Sequence, residues 1–245
     1  MKLDENNTQP IVKLNPKGLV AVADTTFFSH GDGLMVFREP NLKKNVWWSF
    51  VAYERSCDYL QGKNHLQHND FDITAVVLDG RPGIRAVFDG IPVQMCQFHQ
   101  KQIVKRYLTS KPKLAASQEL KTIVDRLAYT TEQEFTTELI VWYEKWSEFL
   151  KQKTIDQNTG RWFYTHKRLR SAYRSLNTNL PYLFTYQKFP ELNIPNTTNS
   201  LDGFFNRLKS LVYVHRGLNV QRRNKIIVEI LKGRNSQNSP TKSSI

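Results

Sequence analysis

Two apolar runs in this chain each stop at an aspartate: Leu19-Val-Ala-Val-Ala-Asp24 and Ile73-Thr-Ala-Val-Val-Leu-Asp79. Runs of this kind read as buried strands, and in a parallel sheet catalytic groups collect at the carboxyl ends of strands. If the two strands are neighbours, both carboxylates face one cleft. Two carboxylates that close repel, and one takes up a proton unless a cation sits between them. Mg²⁺ suits such a place, because it takes oxygen ligands and keeps waters and substrate phosphates in its remaining positions. A third carboxylate would allow two ions, one activating water or a 3′-hydroxyl and the other stabilising the leaving oxygen of an in-line displacement. An aspartate after a strand also serves simply to open a turn, so each acid taken alone is ambiguous.

The elements that must hold these acids are predicted from pattern. Residues 1–17 are polar, with Pro10 and Pro16, and read as a flexible lead-in. Three strands follow, Leu19–Asp24, Leu34–Phe37 and Val46–Tyr53, with connections short enough for an antiparallel meander. A helix over Arg55–His68 is weakened by Gly62. The order strand Ile73–Asp79, short helix Arg81–Phe88 and strand Pro92–Cys96 implies a parallel crossover pair. The expected class is therefore α/β, with a mixed five-stranded sheet.

Beyond this the chain turns helical. Leu114, Leu120, Ile123, Val124 and Leu127 share a helical period, and Thr131-x-x-Glu134 reads as a capping box opening a long helix. A third helix is expected over Trp162–Leu176, then an irregular stretch marked by Pro181, Pro190 and Pro195. Asn196-Thr-Thr-Asn199 is expected to cap a helix over Leu201–Val212, and a last helix spans Val220–Leu231. The division that follows is a core over 18–110, a helical insertion over 111–195, helices over 196–233 completing the core, and a disordered tail over 234–245.

Charge narrows the partner. Thirty-five Lys and Arg against 22 Asp and Glu give a net charge of +13, which favours a polyanion because each neutralised phosphate releases a counterion. Lys101, Lys105 and Arg106 form one basic cluster; Lys167, Arg168, Arg170 and Arg174 form another, just after Trp162, Phe163 and Tyr164. Aromatics beside cations suit distorted or single-stranded DNA, where an exposed base can stack, although an amphipathic helix with a solvated basic face has the same composition. Arg222, Arg223 and Lys225 offer further phosphate contacts near the C-terminus. Two cysteines give no disulfide framework, the N-terminus has no secretory signal, and no apolar run is long enough to cross a bilayer. A cytoplasmic protein with no membrane partner is expected. Cys96 and His99 have the spacing of half a zinc site, but no second such pair completes four ligands.

The series Asp24-Thr-Thr-Phe-Phe, Leu78-Asp-Gly80, Cys96-Gln-Phe-His99 and Asn196-Thr-Thr-Asn-Ser-Leu-Asp202 resembles, in this order, the motifs of Mutator-type bacterial insertion-sequence transposases. Arg106-Tyr-Leu-Thr109 and His215-Arg-Gly-Leu218 fit the same series. The resemblance implies an RNase H-like core whose first acid is on strand one, second on strand four and third on a late helix, with a helical insertion before that helix. Asp24, Asp79 and Asp202 would then be the acidic triad of a DDE/DDD-type enzyme holding Mg²⁺ or Mn²⁺, as two ions. The family usually has glutamate where this chain has Asp202; aspartate is one methylene shorter, and Glu191 in a Pro-flanked loop is the alternative third ligand. By the same analogy His99 lies beside the cleft, contacting the scissile phosphate or positioning the nucleophile, with packing or helix capping as the other option.

The implied activity is cleavage at transposon ends and strand transfer into target DNA, by a homodimer or higher oligomer associated with the bacterial nucleoid when bound. Members generally carry an N-terminal DNA-binding region, and this sequence has only a short polar lead-in ahead of the first strand. The alternatives are a truncated or domesticated relic that binds DNA without catalysis, and an RNase H-like nuclease that cuts without joining.

Overall fold

The computed structural model describes residues 18–214 and 217–233; the lead-in over 1–17, the His215-Arg216 pair and the tail over 234–245 lie outside the described residues. The chain is α/β with a five-stranded mixed sheet, its strands in the order β3-β2-β1-β4-β5. By backbone contacts it divides into two units, Met1–Ile73 with Asn199–Ile245, and Thr74–Thr198.

In the first unit, β1 (Leu19–Ser29), β2 (Asp32–Glu39) and β3 (Lys44–Val51) form the predicted meander, with Asp24 opposite Val36 and Val36 opposite Trp48. β1 does not end at Asp24 as its apolar run predicts. Thr25, Thr26 and Phe27 carry β-branched and aromatic side chains, and pairing with β2 extends the strand through them to an irregularity at Phe28, before Ser29 pairs with Asp32.

Helix α1 (Ser56–His68) lies on this sheet, and Gly62, which reads in sequence as a weakness, is what lets it approach. A Cβ there would stand 2.7 Å from the Phe37 ring and 2.8 Å from the Trp47 ring, so any larger residue would push the helix away. Phe37 and Trp47 meet edge-to-face at 5.3 Å beneath it. Helix α8 (Asn199–Val214) packs against β1 through Leu201, Phe205 and Leu208, and α9 (Val220–Leu231) begins at Asn219, whose side chain accepts from the Arg222 N–H at 2.9 Å.

In the second unit, β4 (Ile73–Leu78) and β5 (Val93–Met95) are the predicted parallel pair, joined through α2 (Pro82–Arg85) and a 3-10 turn at Ala86–Phe88. Helices α3 (Gln97–Leu108), α4 (Ala115–Asp125) and α5 (Glu132–Lys151) follow. Thr131 and Glu134 form both bonds of the capping box that opens α5. One core joins β5, α3, α4 and α5 through Met95, Val104, Leu120, Phe135 and Trp142, whose Nε1 donates to the Ala116 carbonyl at 2.9 Å. The helices over 111–195 therefore share a core with β5 and α3.

The helix expected over Trp162–Leu176 is corrected. Residues Trp162–Tyr164 form β7, paired antiparallel with β6 (Lys153–Ile155), and α6 starts only at Lys167 and runs to Leu183. The Asp156–Gly160 turn supplies the reason: Gly160 has φ +66°, its N–H donates to the Asp156 carbonyl at 2.8 Å, and three consecutive aromatics then favour a strand. Pro181, predicted to lie in irregular chain, sits inside α6 near its end, where Leu176 and Leu183 hold the last turns in the core. Short elements α7 (Thr185–Lys188) and a 3-10 turn at Pro190–Leu192 complete the unit. Among the described residues no helix is long and apolar enough to cross a membrane.

Candidate functional site

Asp24 and Asp202 belong to the first unit and stand on elements that pack against each other. Asp24 is half-buried in the middle of β1, and its Oδ1 accepts from the Thr25 N–H at 2.7 Å. Asp202 is half-buried in the first turn of α8, where a carboxylate is favoured by the helix dipole.

A residue that the sequence pattern leaves unmarked fixes this turn. Arg38, buried on β2, donates from Nε to Ser200 Oγ at 3.2 Å and from Nη1 to Asn45 Oδ1 at 2.6 Å, and its guanidinium lies 5.1 Å from the Phe204 ring centroid. Burial lowers its pKa, and the neighbouring Glu39 acts in the opposite direction. Two of these partners, Ser200 and Phe204, flank Asp202 in sequence, which makes Arg38 a positioning residue for α8. A signal for it exists in the sequence: an arginine inside the apolar strand Leu34-Met-Val-Phe-Arg38 has to be paired.

Asp79 belongs to the second unit and follows β4 directly, as its apolar run predicts. The chain turns there on Gly80, whose φ is +98°, and a Cβ at Gly80 would collide with the Met95 side chain. Asp79 Oδ1 accepts from the Arg81 N–H at 3.3 Å, and Oδ2 lies 3.5 Å from Arg81 Nε. The carboxylate faces a cavity of about 520 Å³ whose lining includes Arg81, His99, Arg106, Arg174 and Asn179. Three guanidinium groups around one carboxylate make this cavity cationic.

Beneath it Arg85 is buried, donating to Asn179 Oδ1 at 2.9 Å with its guanidinium 4.3 Å from the Tyr182 ring centroid. Desolvation lowers the Arg85 pKa, while Tyr182 and Asp79 pull it the other way. Asn179 in turn donates to Gln100 Oε1 at 2.7 Å, so the floor of the cavity is a connected polar network inside the core.

The Cys96-Gln-Phe-His99 and Asn196-Thr-Thr motifs prove to be one structure. Gln97 N–H donates to the Asn196 carbonyl at 2.9 Å, Asn196 Nδ2 donates to Gln97 Oε1 at 3.1 Å, and the Thr198 N–H reaches Cys96 Sγ at 3.3 Å. Cys96 is fully buried. Burial by itself would raise its thiol pKa, but hydrogen bonds from His99 and Thr198 outweigh that and hold it below the usual value. The sulfur is thus an acceptor that fixes His99 in the first turn of α3, at the rim of the cavity. Sequence spacing reveals the Cys-x-x-His pair but not that Thr198 completes it.

The basic residues separate by what their head groups touch. Lys101 Nζ donates to the Asp125 carbonyl at 2.8 Å, and Arg170 donates to the Leu150 carbonyl at 2.8 Å while stacking 3.6 Å from the Tyr164 ring centroid. Arg223 pairs with Asp32 at 2.6 Å and lies 5.3 Å from the Phe28 ring centroid. These three are committed to intramolecular partners. Lys105, Arg106, Lys167, Arg168, Arg174 and Arg222 are exposed, although Arg168 Nη2 also donates to the Arg106 carbonyl at 2.6 Å. Trp162 is 56% exposed on β7. Glu191 is exposed in the Pro190–Leu192 turn.

Among the described residues no group of three or more His, Cys, Asp or Glu side chains is gathered to hold a metal ion. Compared with known proteins, the chain matches no family model and no curated protein.

Proposed function

We propose that this chain is the catalytic core of a DNA transposase of the Mutator type, with an RNase H-like fold, acting on transposon ends and target DNA. The observation that carries the reading is where the three acids stand. Asp24 is on β1, Asp79 directly follows β4, and Asp202 is on the late helix α8, which are the elements that the motif series assigns to the triad. The cationic cavity around Asp79 supports it further, since a phosphodiester entering there meets Arg81, Arg106 and Arg174.

Asp24, Asp79 and Asp202 would hold Mg²⁺ or Mn²⁺. The donor set is all carboxylate oxygen, which suits those ions and not a softer metal. When bound, such ions supply charge at the leaving oxygen and lower the pKa of an attacking water or 3′-hydroxyl. The chain's own residues bind and orient. The exposed arginines of the cavity neutralise phosphate, and His99, held by Cys96, is placed to contact it. Arg38 holds the start of α8, and no covalent enzyme intermediate is needed. Two DNA ends would be brought together by two copies of the chain.

The test is an assay with labelled terminal DNA and a target plasmid, scored for nicking and for joined product. Wild type is expected to give both in Mg²⁺ or Mn²⁺, and Asp79→Asn neither. Nicking without joining would instead mark a nuclease, and DNA binding indifferent to metal with no nicking would mark a non-catalytic binder.

A further inference from the structure

The β6–β7 hairpin contributes little to the core of its unit, yet its base is tied by several contacts. Thr165 N–H donates to the Gln152 carbonyl at 3.0 Å across its base, His166 Nε2 lies 2.9 Å from Gln152 Oε1, and the His166 ring stacks on Phe149 at 3.7 Å. On this base Ile155 is 66%, Trp162 56% and Phe163 41% exposed. Apolar side chains displayed on a short two-stranded ribbon are a liability in water unless something covers them.

The surroundings identify what would cover them. Each aromatic has a cation beside it: Lys153 Nζ lies 3.9 Å from the Trp162 ring centroid, Arg170 3.6 Å from that of Tyr164, and Lys167 5.7 Å from that of Phe163. Strand alternation puts Phe163 on the face opposite Trp162 and Tyr164, so both faces of the ribbon carry an aromatic and a positive charge. Where the ribbon meets the start of α6, a cavity of about 450 Å³ is lined by Lys111, Lys113, Lys167 and Arg168, with no carboxylate among its lining residues. An apolar protein partner would not call for four cations, and a blunt duplex offers no base face to the aromatics. Unpaired nucleotides need both, a planar surface for the base and cations for the phosphates.

We propose that the β6–β7 hairpin and this groove form a binding site for unpaired nucleotides, with Trp162 stacking on a base and Lys111, Lys113, Lys167 and Arg168 engaging the flanking phosphates. The inference rests on the nucleic-acid part of the proposed function and not on the carboxylates, so it is tested without metal. The assay is fluorescence anisotropy of the full chain in chelator, with a labelled oligothymidine of ~12 nucleotides and a blunt duplex of the same length. The wild type binds the oligothymidine more tightly than the duplex. Trp162→Ala weakens oligothymidine binding roughly 5- to 150-fold and leaves duplex binding nearly unchanged, while Trp162→Phe retains most of the affinity. Lys111→Gln with Lys113→Gln lowers the slope of log affinity against log salt by about 0.7 for each phosphate that is no longer neutralised.

The exposed position of Trp162 leaves the fold intact, which the far-UV dichroism of the variant checks. Equal oligothymidine binding by wild type and Trp162→Ala overturns the proposal. So does equal weakening of oligothymidine and duplex binding, or competition by polyglutamate as effective as by oligothymidine. Any of these leaves the metal-dependent nicking assay untouched, and a failure of nicking leaves this site untouched.

Discussion

Strands β1 and β4 both bring an apolar run to an aspartate, and they treat it differently. On β1 the strand carries on past Asp24 to Ser29, so the acid is a mid-strand side chain between ladder bonds to β2. On β4 the strand stops at Leu78, and Asp79 hangs at a sharp turn on Gly80 in front of a cationic cavity. The residues after each acid make the difference: Thr-Thr-Phe-Phe continues a ladder, and Gly-Arg-Pro cannot. A carboxylate can thus be fixed by a rigid strand or by a sharp turn, and the two placements fail in different ways when altered.

The largest expected effect on this contrast is functional. Asp24→Asn and Asp79→Asn each remove one carboxylate charge while keeping shape, and each should lower strand transfer at least ~10²-fold, with unfolding midpoints in urea little changed. Next is Gly80→Val, which forces a β-branched residue to φ +98° against Met95. It should cost roughly 2–4 kcal/mol of stability by urea unfolding, whereas Thr26→Val on β1 should stay within about 1 kcal/mol. Arg38→Met removes the buried guanidinium that holds Ser200 and Asn45. A loss of about 1–3 kcal/mol is expected, together with lower activity at unchanged DNA affinity.

The smallest effect is on pH. Because the Cys96 thiol is held below its usual value, the folded state favours the thiolate over what the unfolded chain does. The resulting stabilisation is fully present above the unfolded value of 9.0 and is lost as pH falls through the lower folded value. Unfolding of Cys96→Ala should lack this alkaline gain.

Much of the scaffold is legible in the sequence because its signals are local. The meander, the parallel pair, the capping box at Thr131 and the helix Val220–Leu231 all follow from periodicity and end signals. The extension of β1 is hidden because an acid after an apolar run reads as a stop, although the next residues are strand formers. The β6–β7 hairpin is hidden because its aromatics run straight into the basic start of α6, and one amphipathic pattern covers both. What Arg38, Thr198 and Asn179 bond to lies beyond reach for another reason. Their partners Ser200, Cys96 and Gln100 are far away in sequence, and no short-range pattern encodes a long-range hydrogen bond.

Asp24, Asp79 and Asp202 are proposed to act together on divalent ions. Mn²⁺ binding to the intact chain, followed by electron paramagnetic resonance, reads this without DNA or turnover. Saturable binding by the wild type, weakened ~10-fold or more by each of Asp24→Asn, Asp79→Asn and Asp202→Asn, is the predicted result. Binding left unchanged by any one of the three substitutions would contradict it.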